Sequence, residues 1–213
     1  MLLNTAGGLT GGDTLDIGVA MAAGASATIT TAAAEKIYRA RDGEPAAIRI
    51  GIGLEAGAGL AWLPQPTILF DAARLDRRTE VDMAADARFL AVESLIFGRA
   101  AMGEDVHRGA CRDAWRLRRD GKLVFADTLL LDGAIARTLD RPAALDGARA
   151  TAFVLYAARD AAARLEAARA LCEGVRSTMG VSSWNGLLVA RATAGDGRTL
   201  QGDLVPLLEH LSG

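Results

Sequence analysis

The residues of this chain whose types and placement could do chemistry are a few carboxylates and one arginine, with Glu93 foremost. The run Arg88 to Phe97 is apolar on both alternating faces, with Phe89, Ala91, Leu95 and Phe97 on one side and Leu90, Val92 and Ile96 on the other. A strand of that composition is covered on both faces. Glu93 falls on the Phe89 side, where an unpaired carboxylate is costly, so it must be partnered, protonated or beside a wet channel. Arg99 stands just past the strand as a candidate counter-charge, and Glu104 lies beyond the following glycine turn. One role for Glu93 is a buried structural pair with Arg99. Another arrangement, Glu93 and Glu104 facing one another, would serve a small-molecule enzyme of the glycoside type.

Nucleophilic and metal chemistry have less to stand on. There is no Gly-x-Ser-x-Gly, and His107 and His210 are the only imidazoles. His107 and Cys111 have a spacing that would pair them on a helix, but a loop leading into a strand spreads them apart, leaving two weak metal candidates. The glycine-dense stretch Thr5 to Asp13 contains neither of the common phosphate-loop patterns. Paired glycines there read instead as positive φ or close chain approach before a strand.

The elements that must position these residues are mostly strands. Leu15, Ile17, Val19 and Met21 alternate with small or polar neighbours, as do Ile48, Ile50, Ile52 and Leu54. Ser26 to Arg39 reads as one further strand, with Glu35 and Lys36 on opposite sides, and Trp62 to Phe70 as another. Three corners align, Val19 to Ala25, Ile52 to Ala58 and Val81 to Ala87, at offsets of 33 and 29 residues. That period suggests stacked coils or layered sheets. Asp120-Gly121 between Trp115 to Arg119 and Lys122 to Phe125 predicts a hairpin with a tight primed turn. Ala150 to Ala157 is a buried strand, and Trp184 to Thr193 the last one. Asp160 is expected to cap the longest helix, Arg159 to Glu173, with Cys172 on its core face, and Leu204 to Leu211 forms a shorter final helix. The fold class is therefore mainly β, stacked or layered sheets of β-helix-like character with two α-helices near the C-terminus.

The 213 residues suffice for one sizeable core, and a formal net charge of -2 argues against nucleic acid as a partner. The basic stretch Arg108 to Lys122 reads as solvated hairpin faces. No run approaches the ~20 apolar residues of a membrane span, so the expectation is a cytoplasmic protein with no membrane partner. The two cysteines, far apart, are expected as reduced, buried thiols.

Four stretches carry a resemblance. Thr5-Ala-Gly-Gly-Leu-Thr-Gly-Gly-Asp13, Thr30-Thr31 with Glu35-Lys36-Ile37-Tyr38-Arg39, Trp62-Leu63-Pro64-Gln65 with Thr67-Ile68-Leu69-Phe70-Asp71, and Phe97-Gly-Arg-Ala-Ala-Met-Gly-Glu104 are together similar to the urease accessory protein family UreD, called UreH in some organisms. The resemblance covers nearly the whole chain. It implies a strand-rich stack of sheets with two helices and a single domain over residues 1–213, lacking the family's N-terminal strands and C-terminal tail. It also implies a non-enzymatic maturation factor that binds urease apoprotein, UreF and the GTPase UreG and assists nickel insertion. No tightly bound cofactor is implied, only transient nickel. Asp13, Glu35 and Asp71, the acids inside these motifs, join Glu93, Arg99 and Glu104 as candidates for partner binding or metal passage. The chain departs from the family at Ala32, where glutamine is usual, and at Pro66, where an acidic residue is usual and proline removes a charge and a backbone donor.

Overall fold

The computed structural model describes residues 1–41, 43–99 and 103–213, so that Asp42 and the Ala100, Ala101 and Met102 part of the fourth motif lie outside the described residues. Thirteen strands and three helices follow one another among these. They are β1 (Thr14–Met21), β2 (Ser26–Ile29), β3 (Glu35–Ile37), β4 (Ala46–Leu54), β5 (Gly59–Trp62), β6 (Thr67–Leu69), β7 (Arg74–Met83), β8 (Arg88–Phe97), β9 (Gly109–Arg119), β10 (Lys122–Gly133), α1 (Ile135–Leu139), β11 (Ala150–Ala157), α2 (Leu165–Leu171), β12 (Thr178–Trp184), β13 (Leu187–Ala194) and α3 (Gly197–Ser212).

The aligned corners are real coils. β1, β4, β7 and β9 run parallel in one five-stranded sheet closed by antiparallel β10, while β2, β5 and β8 run parallel in an eight-stranded sheet. The register reproduces the sequence offsets: Val19 lies beside Ile52, and Ile52 beside Val81. Each corner is closed by the same turn, with the N–H of Ala25, Ala58 and Ala87 donated to the carbonyl of Ala22, Glu55 and Ala84. A carboxylate on each coil also holds the preceding corner. Glu55 accepts from Ala23 N, Asp86 from Gly57 N and Asp120 from Ala85 N, at 2.9 to 3.0 Å.

The inner faces of the two sheets enclose the main core, where Ile48, Leu75, Leu117, Phe89 and Leu155 are buried. Each such side chain contributes about 2 kcal/mol by leaving water. The other face of the eight-stranded sheet carries Leu90, Val92, Val154 and Leu188 and is covered by Leu200, Leu204, Leu207 and Leu211 of α3. β8 is therefore covered on both faces, as its composition predicts.

Several expectations need correction. Ser26 to Arg39 is not one strand, because the chain leaves the sheet between β2 and β3, where Gln65 N donates to Thr31 Oγ1 and Ala32 N to Leu2 O. Trp62 to Phe70 is likewise split, since Pro64 and Pro66 cannot donate to a ladder. The Pro66 carbonyl still accepts from Glu35 N, so the proline is accommodated. The longest helix is α3, with 16 residues, and α2 has only seven. Asp160 does not cap a helix with its side chain; it accepts from Tyr156 Oη and Arg164 Nε instead. α3 has the real cap, Asp196, whose side chain accepts from Thr199 N. Cys172 follows α2 half-buried, while Cys111 is fully buried, and both are free thiols. The last strand is one arm of a hairpin, β12 and β13 joined by Asn185 and Gly186, both at positive φ. α1 adds a third helix to the two expected.

Candidate functional site

Arg77, on the inward-facing row of β7, organises the charged centre between the sheets. Its neighbour in register on β9 is Asp113, and β8 brings Glu93 from the opposite sheet. Arg77 Nη1 lies 2.6 Å from Glu93 Oε1, while Nε and Nη2 reach the two Asp113 oxygens at 3.1 and 2.6 Å. Nη1 also donates to Thr67 Oγ1 at 2.9 Å. Arginine suits this position because its planar fork can serve two carboxylates in different directions. The side chains of Arg77 and Glu93 are each 3% exposed, so water screens the cluster little.

One guanidinium between two carboxylates leaves an excess of one negative charge if both acids ionise. Burial pushes the Glu93 carboxyl up to about 8, against the attraction of Arg77 and with the help of nearby Asp113. Burial alone would lower the Arg77 guanidinium, but Asp113 and Glu93 together raise it above its ordinary value. Glu93 is thus partnered by Arg77, and its carboxyl holds its proton more strongly than an ordinary carboxylate does. Burial also pushes the Cys111 thiol up to about 12, which keeps it from acting as a thiolate ligand near neutral pH.

Arg99 is not the counter-charge of Glu93. Its Nε donates to Glu104 Oε2 at 2.7 Å, and its guanidinium stacks 4.6 Å above the Phe70 ring. Glu93 and Glu104 consequently belong to different places, and the facing acid pair does not form. Glu104 instead lines a surface cleft of about 600 Å³ with Thr10, Tyr38, Arg39, Phe70 and Asp71. Asp71 accepts from the backbone N–H of His107 and Arg108, at 2.9 and 3.2 Å. Burial opposes its ionisation, yet those two N–H groups and Arg39 hold the carboxyl below the usual range. The first, second, third and fourth motifs, far apart in sequence, all contribute to this cleft.

The other candidates have local duties. Asp13 accepts from Thr10 N at 2.8 Å and fixes the glycine turn, and Glu35 accepts from Asn4 Nδ2 at 3.1 Å. His107 is exposed and Cys111 buried, so that pair forms no common site, and among the described residues no three His, Cys, Asp or Glu side chains are grouped to hold a metal ion. No described helix is long and apolar enough to cross a membrane.

Arg77 and Asp113 were missed as site residues, though the signal was present. Arg77 shares its parity with Leu75, Val81 and Met83, and Asp113 with Cys111, Trp115 and Leu117, so both charges sit on the buried side of their strands.

Gly98 ties the cleft to β8. It has a φ of +80°, donates its N–H to Leu69 O, and leaves no room for a Cβ beside the Glu104 carbonyl. Gly98→Ala is expected to destabilise the protein by about 1 to 3 kcal/mol, read as a lower urea midpoint; an unchanged midpoint would contradict this packing.

A family model described as UreD urease accessory protein matches residues 1–213. The urease accessory protein UreD of Azorhizobium caulinodans is 51% identical over 213 residues, covering 100% of this chain and 78% of that protein. The UreD proteins of Xanthobacter autotrophicus and a Methylobacterium species are 50% and 48% identical, covering 98% and 100% of this chain and 72% and 77% of theirs. With a match along its whole length and such identity to relatives of which it covers more than two thirds, this chain belongs to the UreD family of urease accessory proteins.

Proposed function

We propose that this chain is a non-catalytic maturation factor that binds urease apoprotein together with UreF and the GTPase UreG in the cytoplasm and assists the insertion of nickel into urease. Family membership along the whole chain is the observation that carries this reading. Nickel is here a cargo and not a resident cofactor. The cleft lined by Arg39, Asp71 and Glu104 is the partner-facing candidate: these charges are held in place by ion pairs and hydrogen bonds, and the lining as a whole is drawn from all four distinctive motifs. Glu93 serves the same purpose indirectly, by fixing β8 against the opposite sheet through Arg77.

Affinity purification of the tagged chain from cells expressing the urease operon tests this. Urease subunits and UreF are expected in the eluate, and retention of a folded chain alone would defeat the proposal. The pure chain should hydrolyse neither urea nor GTP, and GTP turnover should appear only once UreG is added. Turnover by the pure chain would assign it an enzymatic role.

A further inference from the structure

Glu93 lies at the inner end of a row that leads to the surface. In the eight-stranded sheet it is paired in register with Phe153 of β11, and Phe153 with Arg191 of β13, so the three side chains occupy one interior row. Across the gap, Asp113 stands beside Leu129 of β10. Between these rows is a cavity of about 50 Å³ whose lining includes Glu93, Asp113, Trp115, Asp127 and Arg191. That volume holds one or two waters. The sheets are joined over it by an ion pair, Arg191 Nη2 to Asp127 Oδ2 at 2.7 Å, with the Arg191 guanidinium 5.5 Å from the Phe153 ring.

We propose that these residues form a proton-operated latch: while Glu93 keeps its proton Arg191 stays on Asp127, and when Glu93 releases the proton through the cavity Arg191 turns inward as its replacement counter-charge. The inference stands apart from urease maturation and needs no partner.

The reason is charge balance. Arg77 is already committed to Asp113 by two hydrogen bonds and can neutralise only one acid fully. The groups facing Glu93 from the surrounding elements are Arg77 on β7, Asp113 and the neutral Cys111 on β9, Asp127 on β10 and Arg191 on β13, with Thr67 on β6 hydrogen-bonded to Arg77. Among the described residues Arg191 is the cation that lines this cavity, and its 59% exposed side chain has room to move. Its present partner Asp127 is 29% exposed, where water can take over the solvation that Arg191 gives up. Ionised Glu93 would lack that recourse, and a buried anion attracts a nearby cation more strongly than a solvated one does. Release of the proton thus favours transfer of the guanidinium from Asp127 to Glu93, loosening the seam between β10 and β13.

Infrared titration of the purified chain, following the carbonyl stretch of the protonated Glu93 carboxyl and assigned by its loss in Glu93→Gln, reads the proton directly. In the unaltered protein the band should be present at pH 6 and disappear on the alkaline side of neutrality. Arg191→Gln removes the incoming cation and should move the transition up by about one pH unit, whereas Asp127→Asn frees Arg191 and should move it down by a similar amount. Asp113→Asn, which leaves Arg77 to Glu93 alone, should abolish the band at pH 6. A merely structural triad would show the Asp113 effect but no shift in the other two variants, and that result, or an ionised Glu93 at pH 6 in the unaltered protein, overturns the latch.

Discussion

Replacement of Arg77 by methionine is expected to unfold much of this protein, at a loss of about 3 to 5 kcal/mol. Methionine has a comparable length and fills the space, so the loss is not one of packing. It arises because Glu93 and Asp113 would be left in the core without the guanidinium that holds them both, and Thr67 Oγ1 would lose its donor. The cluster joins the sheets in a region where neither chain connectivity nor backbone pairing does so: Arg77 and Asp113 belong to the five-stranded sheet, and Glu93 and Thr67 to the eight-stranded one. Equilibrium urea unfolding of Arg77→Met against the unaltered protein measures the effect. The companion experiment replaces all three charges, Arg77→Met with Glu93→Leu and Asp113→Leu, and should recover most of the stability, since a buried charged group contributes little net energy over a well-packed apolar one. A single Arg77→Met variant as stable as the unaltered protein would show that the cluster is hydrated and not a buried centre.

The coiled part of this fold is legible in sequence because each coil repeats the same local solution. Alternating apolar residues, a small-residue corner and another strand recur from Val19, Ile52 and Val81, and the register follows the offset between them. Where the chain stops repeating, legibility falls. The gap between β2 and β3 contains Thr31 and Ala33 at the right parity for a strand, but the chain there bonds to Leu2 and Gln65, contacts from distant sequence that periodicity cannot display. β12 was hidden for a different reason: its burial alternates only between exposed and half-buried, as befits an edge strand, whereas the Asn185-Gly186 turn that marks it was available in the sequence. The site was half legible. Glu93 stood out because a carboxylate interrupts an apolar face, and the arginine just past the strand, Arg99, was the wrong partner. Packing of one sheet on the other decides that partner, and strand pairing then sets Arg77 in register with Asp113, residues 36 apart.

Stability should fall as pH rises from about 4.5 to about 8, the reverse of the behaviour that paired carboxylates impose. The sign follows from proton counting. In the unfolded chain Glu93 releases its proton near its ordinary value, while in the folded protein burial, resisted by Arg77 and reinforced by Asp113, holds that proton up to about 8. Between those two values the folded state binds the extra proton, so each rise in pH favours unfolding, and above the upper value the loss is complete and the slope vanishes. The full displacement corresponds to a loss on the order of 3 to 5 kcal/mol. Asp71, Asp76 and Asp160 act oppositely: burial resists their ionisation, but hydrogen bonds and arginines hold them below the ordinary range, so their contributions are present above about pH 4 and lost in stronger acid. The two trends together place the stability maximum on the acid side of neutrality. Glu93→Gln separates them, because glutamine is neutral at every pH and its carbonyl can still accept from Arg77 Nη1. Urea midpoints measured from pH 5 to 8.5 should decline for the unaltered protein and stay level for Glu93→Gln, with the variant the more stable of the two at the alkaline end. Parallel curves for both proteins would mean that Glu93 is already ionised in the folded state throughout the range, with Arg77 divided evenly between its two acids.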